Sequence, residues 1–207
     1  RRRDPPDVEM LQNLVESGRE AQRTGAWDDA LARYETALAM VPADGDAKVR
    51  ADLLRWTGTV HAERGSLDAA VEAFQASRST AETAGAAEEE AAAYLCLANV
   101  ELLRGNLEAA AEVFLKARDL SERAGHDRLV AQIDQNLGTI GIIEGNVAIA
   151  LLSYRSALER YRKLGDEFTA TRALNNMGMA HVDLAEWEAA ETCFAEASEL
   201  AARTGDT

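Results

Sequence analysis

The sequence predicts an all-α fold, a superhelical solenoid of five helix hairpins with about ten helices and no strand. Three observations support this prediction. Glycine recurs every 40 residues, and apolar residues between the glycines recur at three- and four-residue spacing. Strong helix formers dominate the composition, since only 5% of residues are aromatic and three are proline. Because each hairpin buries its apolar faces only against its neighbours, the stack should present a concave face.

The glycines mark the helix ends and the closest helix contacts. Thirteen of the 14 glycines fall into three sets with the 40-residue period. The first set should end the first helix of each hairpin, the second should end the second helix in a left-handed cap, and the third should let the two helices approach. In that order the sets are Gly25, Gly65, Gly105 and Gly145; Gly45, Gly85, Gly125, Gly165 and Gly205; and Gly18, Gly58, Gly138 and Gly178, with Ala98 filling the gap. Gly141 alone lies outside the sets and predicts a local gap or a closer approach of the paired helix.

Apolar residues with the same period define the second helices. An alanine set is followed four residues later by an aromatic set whose rings should fill the space beside the small residues. A further set should pack between helices, so that its two tryptophans are explained by packing and do not indicate a ligand site. The three sets are Ala30, Ala70, Ala110, Ala150 and Ala190; Tyr34, Phe74, Phe114, Tyr154 and Phe194; and Trp27, Leu67, Leu107, Val147 and Trp187.

The hairpins follow one another in a single array. We expect a disordered or linker segment over residues 1–7 and one array over 8–204, with repeats at about 8–45, 46–85, 86–125, 126–165 and 166–204. Asn13 and Glu20 stand where later hairpins have apolar residues, which predicts that nothing packs before the first hairpin. Glu191 likewise predicts the end of the stack. The alternative is a truncated array, because the closing TGDT resembles the start of another repeat and the chain lacks an initiator Met.

The repeat resembles a known family. In the fifth hairpin Leu174, Met177, Gly178 and His181 match its first helix, Ala190 and Phe194 match its second, and Pro42 matches its terminal proline once. On these residues the chain resembles the tetratricopeptide repeat family from Leu11 to Thr204, although the period is 40 rather than about 34. The run RALNNMG followed by AEASELAARTGD is similar to the subgroup of kinesin light chains, Leu-Gly-Asn-rich adaptors and bacterial signal-responsive transcription activators. The resemblance implies a right-handed superhelix.

Charge and composition exclude several partners and compartments. The net charge of -14 argues against nucleic acid and anionic membranes, which both favour a basic face. The longest apolar run, Ala91 to Ala98, is eight residues, far short of the roughly 20 that span a bilayer, and the start lacks an apolar signal core. We therefore expect a soluble cytoplasmic protein. Cys96 and Cys193 lie two hairpins apart, beyond the roughly 7 Å that a disulfide tolerates, and should be free thiols.

A catalytic, cofactor or metal site is not predicted. The stretch GTIGIIEG from Gly138 lacks the preceding strand and the Lys-Ser or Lys-Thr pair of a phosphate loop. His61 and His181 share a core position three hairpins apart and cannot bind one metal, while His126 should be solvated. The three glutamates from residue 88 to 90 should complement a helix N-terminus.

The concave face is the candidate binding surface. Four arginines and four acidic residues should line it, so that the groove is close to neutral: Arg19, Arg23, Arg55 and Arg172 against Glu16, Asp52, Glu63 and Asp183. Apolar residues in the middle hairpins indicate a docking site. The alternative is that the helices curve and bury these apolar residues against one another. The candidate groove residues are Arg55, Asn99, Leu102, Leu103, Asn136, Thr139, Ile142, Ile143, Arg172, Asn176 and Met179.

The predicted function is a non-catalytic protein-protein interaction scaffold that binds a peptide or a partner helix. The resemblance implies that Asn136 and Asn176 hold an extended peptide. The resemblance argues against a receptor for chaperone tails, because that type of tetratricopeptide domain binds its ligand with a five-residue carboxylate clamp. Only Asn99, Asn136 and Arg172 match the clamp, and Leu95 and Asn176 stand where it has basic residues. The expected partner carries apolar anchors and an acidic residue, and the chain should be a monomer or a weak homodimer. The alternative function is an effector-sensing module excised from a signalling or transcription regulator.

Overall fold

A computed structural model describes residues 5–204 of the chain. These residues form ten α-helices and no strand, which confirms the predicted all-α class and the helix hairpins. The helices are α1 (Pro5–Arg23), α2 (Trp27–Met40), α3 (Ala47–Glu63), α4 (Leu67–Thr83), α5 (Ala87–Leu103), α6 (Leu107–Ala124), α7 (Asp127–Ile143), α8 (Val147–Lys163), α9 (Glu167–Asp183) and α10 (Trp187–Thr204). Residues 1–4 of the predicted linker lie outside the described residues, and α1 begins at Pro5, a residue type suited to a first helical turn.

The chain divides into two compact units. Unit 1 covers Arg1–Val113 and unit 2 covers Phe114–Thr207, so that the division falls within α6. In unit 1 each of the helices α1 to α4 packs on the next one, and α3 also contacts α5. In unit 2 the helices α7 to α10 likewise pack in chain order. Within each unit, therefore, consecutive helices share the core.

The hairpin cores have the predicted glycine-aromatic contact. In four hairpins a ring of the second helix lies directly against a glycine of the first, and an added Cβ atom would lie 2.5 or 2.6 Å from that ring. The pairs are Gly18 with Tyr34, Gly58 with Phe74, Gly138 with Tyr154 and Gly178 with Phe194. The small residue therefore sets how closely the two helices of a hairpin can approach.

Gly141 allows a second close approach within the fourth hairpin. A Cβ atom at this buried residue would lie 3.2 Å from both the Cβ and the main-chain nitrogen of Ala150 in α8. The main chain of α8 therefore occupies the space that a side chain would need. Of the two alternatives predicted for this glycine, the closer approach is confirmed.

Two helix ends depart from the glycine pattern. Gly45 does not have the positive φ of the other described cap glycines, because α2 already ends at Met40, before Pro42. Its main-chain N–H closes a turn by donating to the Pro42 carbonyl at 2.9 Å. In the last hairpin Ala185 takes the left-handed position with φ of 57°, where the other hairpins have glycine. Gly205 lies outside the described residues.

Trp187 is not packed as predicted. Its side chain is 65% exposed, whereas the equivalent Trp27 is half-buried against the apolar cluster that contains Leu53 and Val60 of α3. Trp27 and Leu67 pack with residues of the first helix of the following hairpin, and no helix follows α10 within the described residues. Glu191 on α10 is exposed, as predicted, and so are Asn13 and Glu20 on α1.

Candidate functional site

In unit 2 the first helix of each hairpin, α7 and α9, carries a stripe of mostly polar residues. On α7 the stripe consists of Gln132, Asn136, Thr139 and Ile143, which are exposed or half-buried while Ile133 and Ile140 between them are buried. We call these four residues the α7 stripe. Their spacing of three and four residues places them on one side of the helix, away from the Gly138 contact with α8.

A second stripe follows on α9. It consists of Arg172, Asn176, Met179 and Asp183, which we call the α9 stripe, and all but the half-buried Asn176 are exposed. Met179 is 58% exposed and adds an apolar group to this stripe. Both helices contribute to one apolar cluster, with Ile142 from α7 packed against it and Met177 from α9 inside it. The predicted residues of unit 2 thus lie on two helices that share a core.

Two predicted groove residues of unit 2 belong in part to that core. The Thr139 hydroxyl donates to the Gln135 carbonyl at 3.2 Å and lies 3.3 Å from the Tyr154 hydroxyl, whose ring packs on Gly138. Burial raises the pKa of Tyr154, so that it remains a neutral phenol at physiological pH. The Thr139 hydroxyl therefore bonds within its own hairpin, although the residue lies on the α7 stripe. Ile142 is half-buried, as the alternative predicts, whereas Ile143 is 57% exposed, as a docking surface requires.

The predicted residues of unit 1 are less available. The Arg55 guanidinium donates to Asp52 at 2.6 Å, so that its charge is already paired. Trp56 lies beside it, with the Arg19 guanidinium 4.3 Å from the ring centroid in a cation-π contact. Asn99 and Leu102 are half-buried, and Leu103 is 67% exposed. Of these four candidates, only Leu103 has most of its side chain exposed to solvent.

The structure contains a buried ion pair that sequence reasoning missed. Asp134 is 3% exposed and accepts hydrogen bonds from Arg118 Nε and Ser156 Oγ, both at 2.6 Å. The Arg160 guanidinium lies 3.5 Å from the same carboxylate. In neighbouring hairpins Leu54, Tyr94 and Leu174 occupy the position of Asp134, and Leu38, Arg78 and Leu158 occupy that of Arg118. The carboxylate of Asp134, at a position where the other hairpins have leucine or tyrosine, was the signal that could have revealed it.

The cysteines and histidines are half-buried or buried. Cys96 and Cys193 are free thiols, as predicted. Burial raises the pKa of the Cys96 thiol to about 11 and also raises the pKa of Cys193, which keeps both protonated at neutral pH. His61, predicted to lie in the core, and His126, predicted to be solvated, are both half-buried. His181 is half-buried too, and its Nδ1 lies 2.7 Å from Glu186.

The described residues contain neither a metal-binding cluster nor a membrane-spanning helix. Within residues 5–204, no three His, Cys, Asp or Glu side chains gather closely enough to hold a metal ion. No helix in the same range has the length and apolar character that crossing a membrane requires.

Comparison with known proteins identifies the repeat. A tetratricopeptide repeat family model matches residues 15–87, and a second model with the same description matches residues 171–204. No curated protein matches the sequence. Among solved structures, the chain is similar to BtubC (BKLC) from P. vanneervenii, with a TM-score of 0.77 and 18% identity over 99% of this chain and 94% of that one.

Two regulatory proteins contain a similar fold. The Rap conjugation gene regulator of the plasmid pLS20, solved in complex with the Phr* peptide, has a TM-score of 0.77 and 19% identity over 95% of this chain and 54% of its own. A signal transduction ATPase with a tetratricopeptide repeat sensor from Pyrococcus horikoshii has a TM-score of 0.77 and 16% identity, over 91% of this chain and 29% of its own. This chain thus spans about half of the first regulator and under a third of the second. From the two family models and the repeating hairpins, we conclude that the chain belongs to the tetratricopeptide repeat family.

Proposed function

We propose that the chain is a non-catalytic interaction scaffold whose unit 2 binds a peptide along the α7 and α9 stripes. The observation that carries this proposal is the order of groups on α9, where the exposed Arg172, the half-buried Asn176 and the exposed Met179 follow one another at four- and three-residue spacing. A charged donor, an amide and an apolar side chain on one side of a helix are the groups that peptide recognition needs. The peptide complex of the similar Rap regulator supports a peptide as the kind of ligand.

The chemistry of the two stripes defines the ligand. The amides of Asn136 and Asn176 can each donate to and accept from a peptide main chain. The Arg172 guanidinium can bind a carboxylate with two parallel hydrogen bonds. Ile143 and Met179 are both more than half exposed and would contact apolar side chains. The preferred ligand is therefore a segment with apolar anchors and at least one acidic residue.

The double variant Asn136→Ala/Arg172→Ala tests this proposal. A synthetic array of 15-residue peptides, each with two leucines and one glutamate at varied spacing, supplies the probe, and the tightest binder is titrated against the full chain. We expect at least a tenfold loss of affinity with an unchanged circular dichroism spectrum, because each lost hydrogen bond costs about 0.5–1.5 kcal/mol and a charged one costs more.

The matched control is Arg155→Ala, which removes the same charge from the exposed side of α8. This variant should bind as the wild type does. Equal affinity of the wild type and the double variant would place the binding surface outside the two stripes. If no peptide of the array binds, the proposal that the ligand is a peptide is wrong.

A second candidate function is an effector-sensing module of a larger regulator. The similar fold in the sensor of the signal transduction ATPase favours it. A sensor would change its conformation when the ligand binds, whereas a scaffold would keep it. Small-angle scattering with and without the array peptide separates the two, because only the sensor should change its radius of gyration.

A further inference from the structure

The second helix of the fourth hairpin, α8, has an exposed apolar side that the other second helices lack. Ile149 is 59% exposed and Leu152 is 65% exposed, and their spacing of three residues places them on one side of the helix. At the two equivalent positions the other second helices have only alanine, threonine or acidic residues. The repeat does not require two large apolar side chains here, so this side of α8 is a candidate docking surface.

The charge of α8 is opposite to that of its neighbour α10. α8 has four basic residues and one acidic residue, whereas α10 has four glutamates and one arginine, in a chain of net charge -14. The two helices are neighbours, because both contribute to the apolar cluster of unit 2 and Arg162 donates a hydrogen bond to Glu196. Unit 2 thus presents a basic, partly apolar helix next to an acidic one.

The outer side of α10 offers a depression that suits the apolar side of α8. Its volume is about 510 Å³, and it is lined by the small side chains of Thr192 and Ala195 and by all four glutamates of the helix. Thr192 and Ala195 are equivalent in the repeat to Leu152 and Arg155, so the depression and the apolar side of α8 face the same way. Large side chains therefore protrude from one helix where small ones leave space on the other.

We propose that a second copy of this chain docks on this surface, with α8 of each copy on α10 of the other. A two-fold axis that runs between α8 and α10, along the two helices, produces both contacts at once, as an isologous dimer requires. Leu152 would enter the partner's depression, and Arg155 would meet the glutamates around it. A contact of α10 with the partner's α10 is disfavoured, because it would bring glutamates against glutamates.

The size of the surface indicates a weak dimer. A helix of 17 residues such as α8 is about 26 Å long, and neighbouring helices lie about 10 Å apart. The outer sides of two such helices therefore cover about 500 Å² in each copy, or about 1,000 Å² in total, which is at the low end for specific interfaces. At low micromolar concentrations the chain should be a monomer.

Sedimentation velocity of the full chain tests the surface. The wild type should shift from monomer towards dimer between about 5 and 500 µM, the range in which weak complexes form. Leu152→Glu should raise the dissociation constant at least about tenfold, because it places a carboxylate among the partner's glutamates. The control is Met10→Glu, which changes a 52% exposed residue of α1 and should dimerise as the wild type does. A wild type that stays monomeric, or a Leu152→Glu variant that dimerises equally well, overturns the inference.

Mixing two charge variants tests whether α8 meets α10. Arg155→Glu places an acidic residue against the acidic depression, and Glu188→Arg/Glu199→Arg places basic residues against Arg155, so each variant alone should remain a monomer. An equimolar mixture should dimerise, because one contact then joins the two altered helices of opposite charge and the other contact is unaltered. A mixture that stays monomeric contradicts the pairing of α8 with α10. Peptide affinity should be unchanged in every variant, since the peptide stripes lie on α7 and α9, so this inference and the proposed function fail separately.

Discussion

Replacing Arg118 with leucine should lower the free energy of unfolding by about 3–5 kcal/mol, since the substitution leaves the Asp134 carboxylate buried without its principal charged partner. Asp134 is 3% exposed, and Arg118 Nε donates to its Oδ1 at 2.6 Å. Ser156 and Arg160 contact the other oxygen, so they do not replace the lost donor. The effect is large because the buried carboxylate would keep only the Ser156 hydroxyl and the more distant Arg160 guanidinium as compensation for its lost hydration.

Removing both charges should restore stability. Leu158 and Leu174 occupy the equivalent positions one hairpin later and both lie in the apolar cluster of unit 2, which indicates that a leucine pair fits this contact. We expect Arg118→Leu/Asp134→Leu to unfold within about 1 kcal/mol of the wild type in urea titrations. The control is Arg123→Leu, whose partner Asp119 is exposed on the same helix, and it should cost less than about 1 kcal/mol. A single Arg118→Leu variant as stable as the control would show that the pair contributes little.

Gly141→Tyr should destabilise the fourth hairpin by about 3 kcal/mol, the upper end of the usual cost of overpacking a core. The obstacle is the main chain of Ala150, whose nitrogen would lie 3.2 Å and whose Cα would lie 3.3 Å from an added Cβ atom. A side chain can rotate away from such a contact, but a helix backbone must move as a whole. Thermal unfolding followed by circular dichroism measures the effect.

Two comparisons make this result specific to Gly141. Gly141→Ala adds only the Cβ atom and should cost much less than tyrosine. The equivalent positions of the second and fifth hairpins hold His61 and His181, so that this position accepts a large residue in hairpins other than the fourth. A melting temperature of Gly141→Tyr equal to that of the wild type would mean that the two helices separate without cost.

The sequence was sufficient for the elements that repeat. The cap glycines and the glycine-aromatic pairs could be predicted because the same contact recurs in hairpin after hairpin, so that each occurrence supports the others. Departures from the repeat were harder. Pro42 ends α2 early and removes the cap role of Gly45, and a local effect of this kind overrides a pattern taken from the other hairpins.

The candidate site was predictable only as a set of positions. Periodicity places Arg172 and Met179 on the exposed side of α9, and the structure agrees. It could not predict that Thr139 would lie beside Tyr154, because that contact depends on the distance between α7 and α8.

Photo-crosslinking from Met179 tests the binding surface of unit 2 most directly. A benzoylphenylalanine is placed at Met179 in the α9 stripe or, as the control, at Leu152 on α8, which are 58% and 65% exposed. Each full-length variant is illuminated with the tightest peptide of the array, and the products are mapped by mass spectrometry. We expect peptide crosslinks from position 179 and none from position 152. Crosslinks from position 152 with none from position 179 would contradict binding along the α7 and α9 stripes.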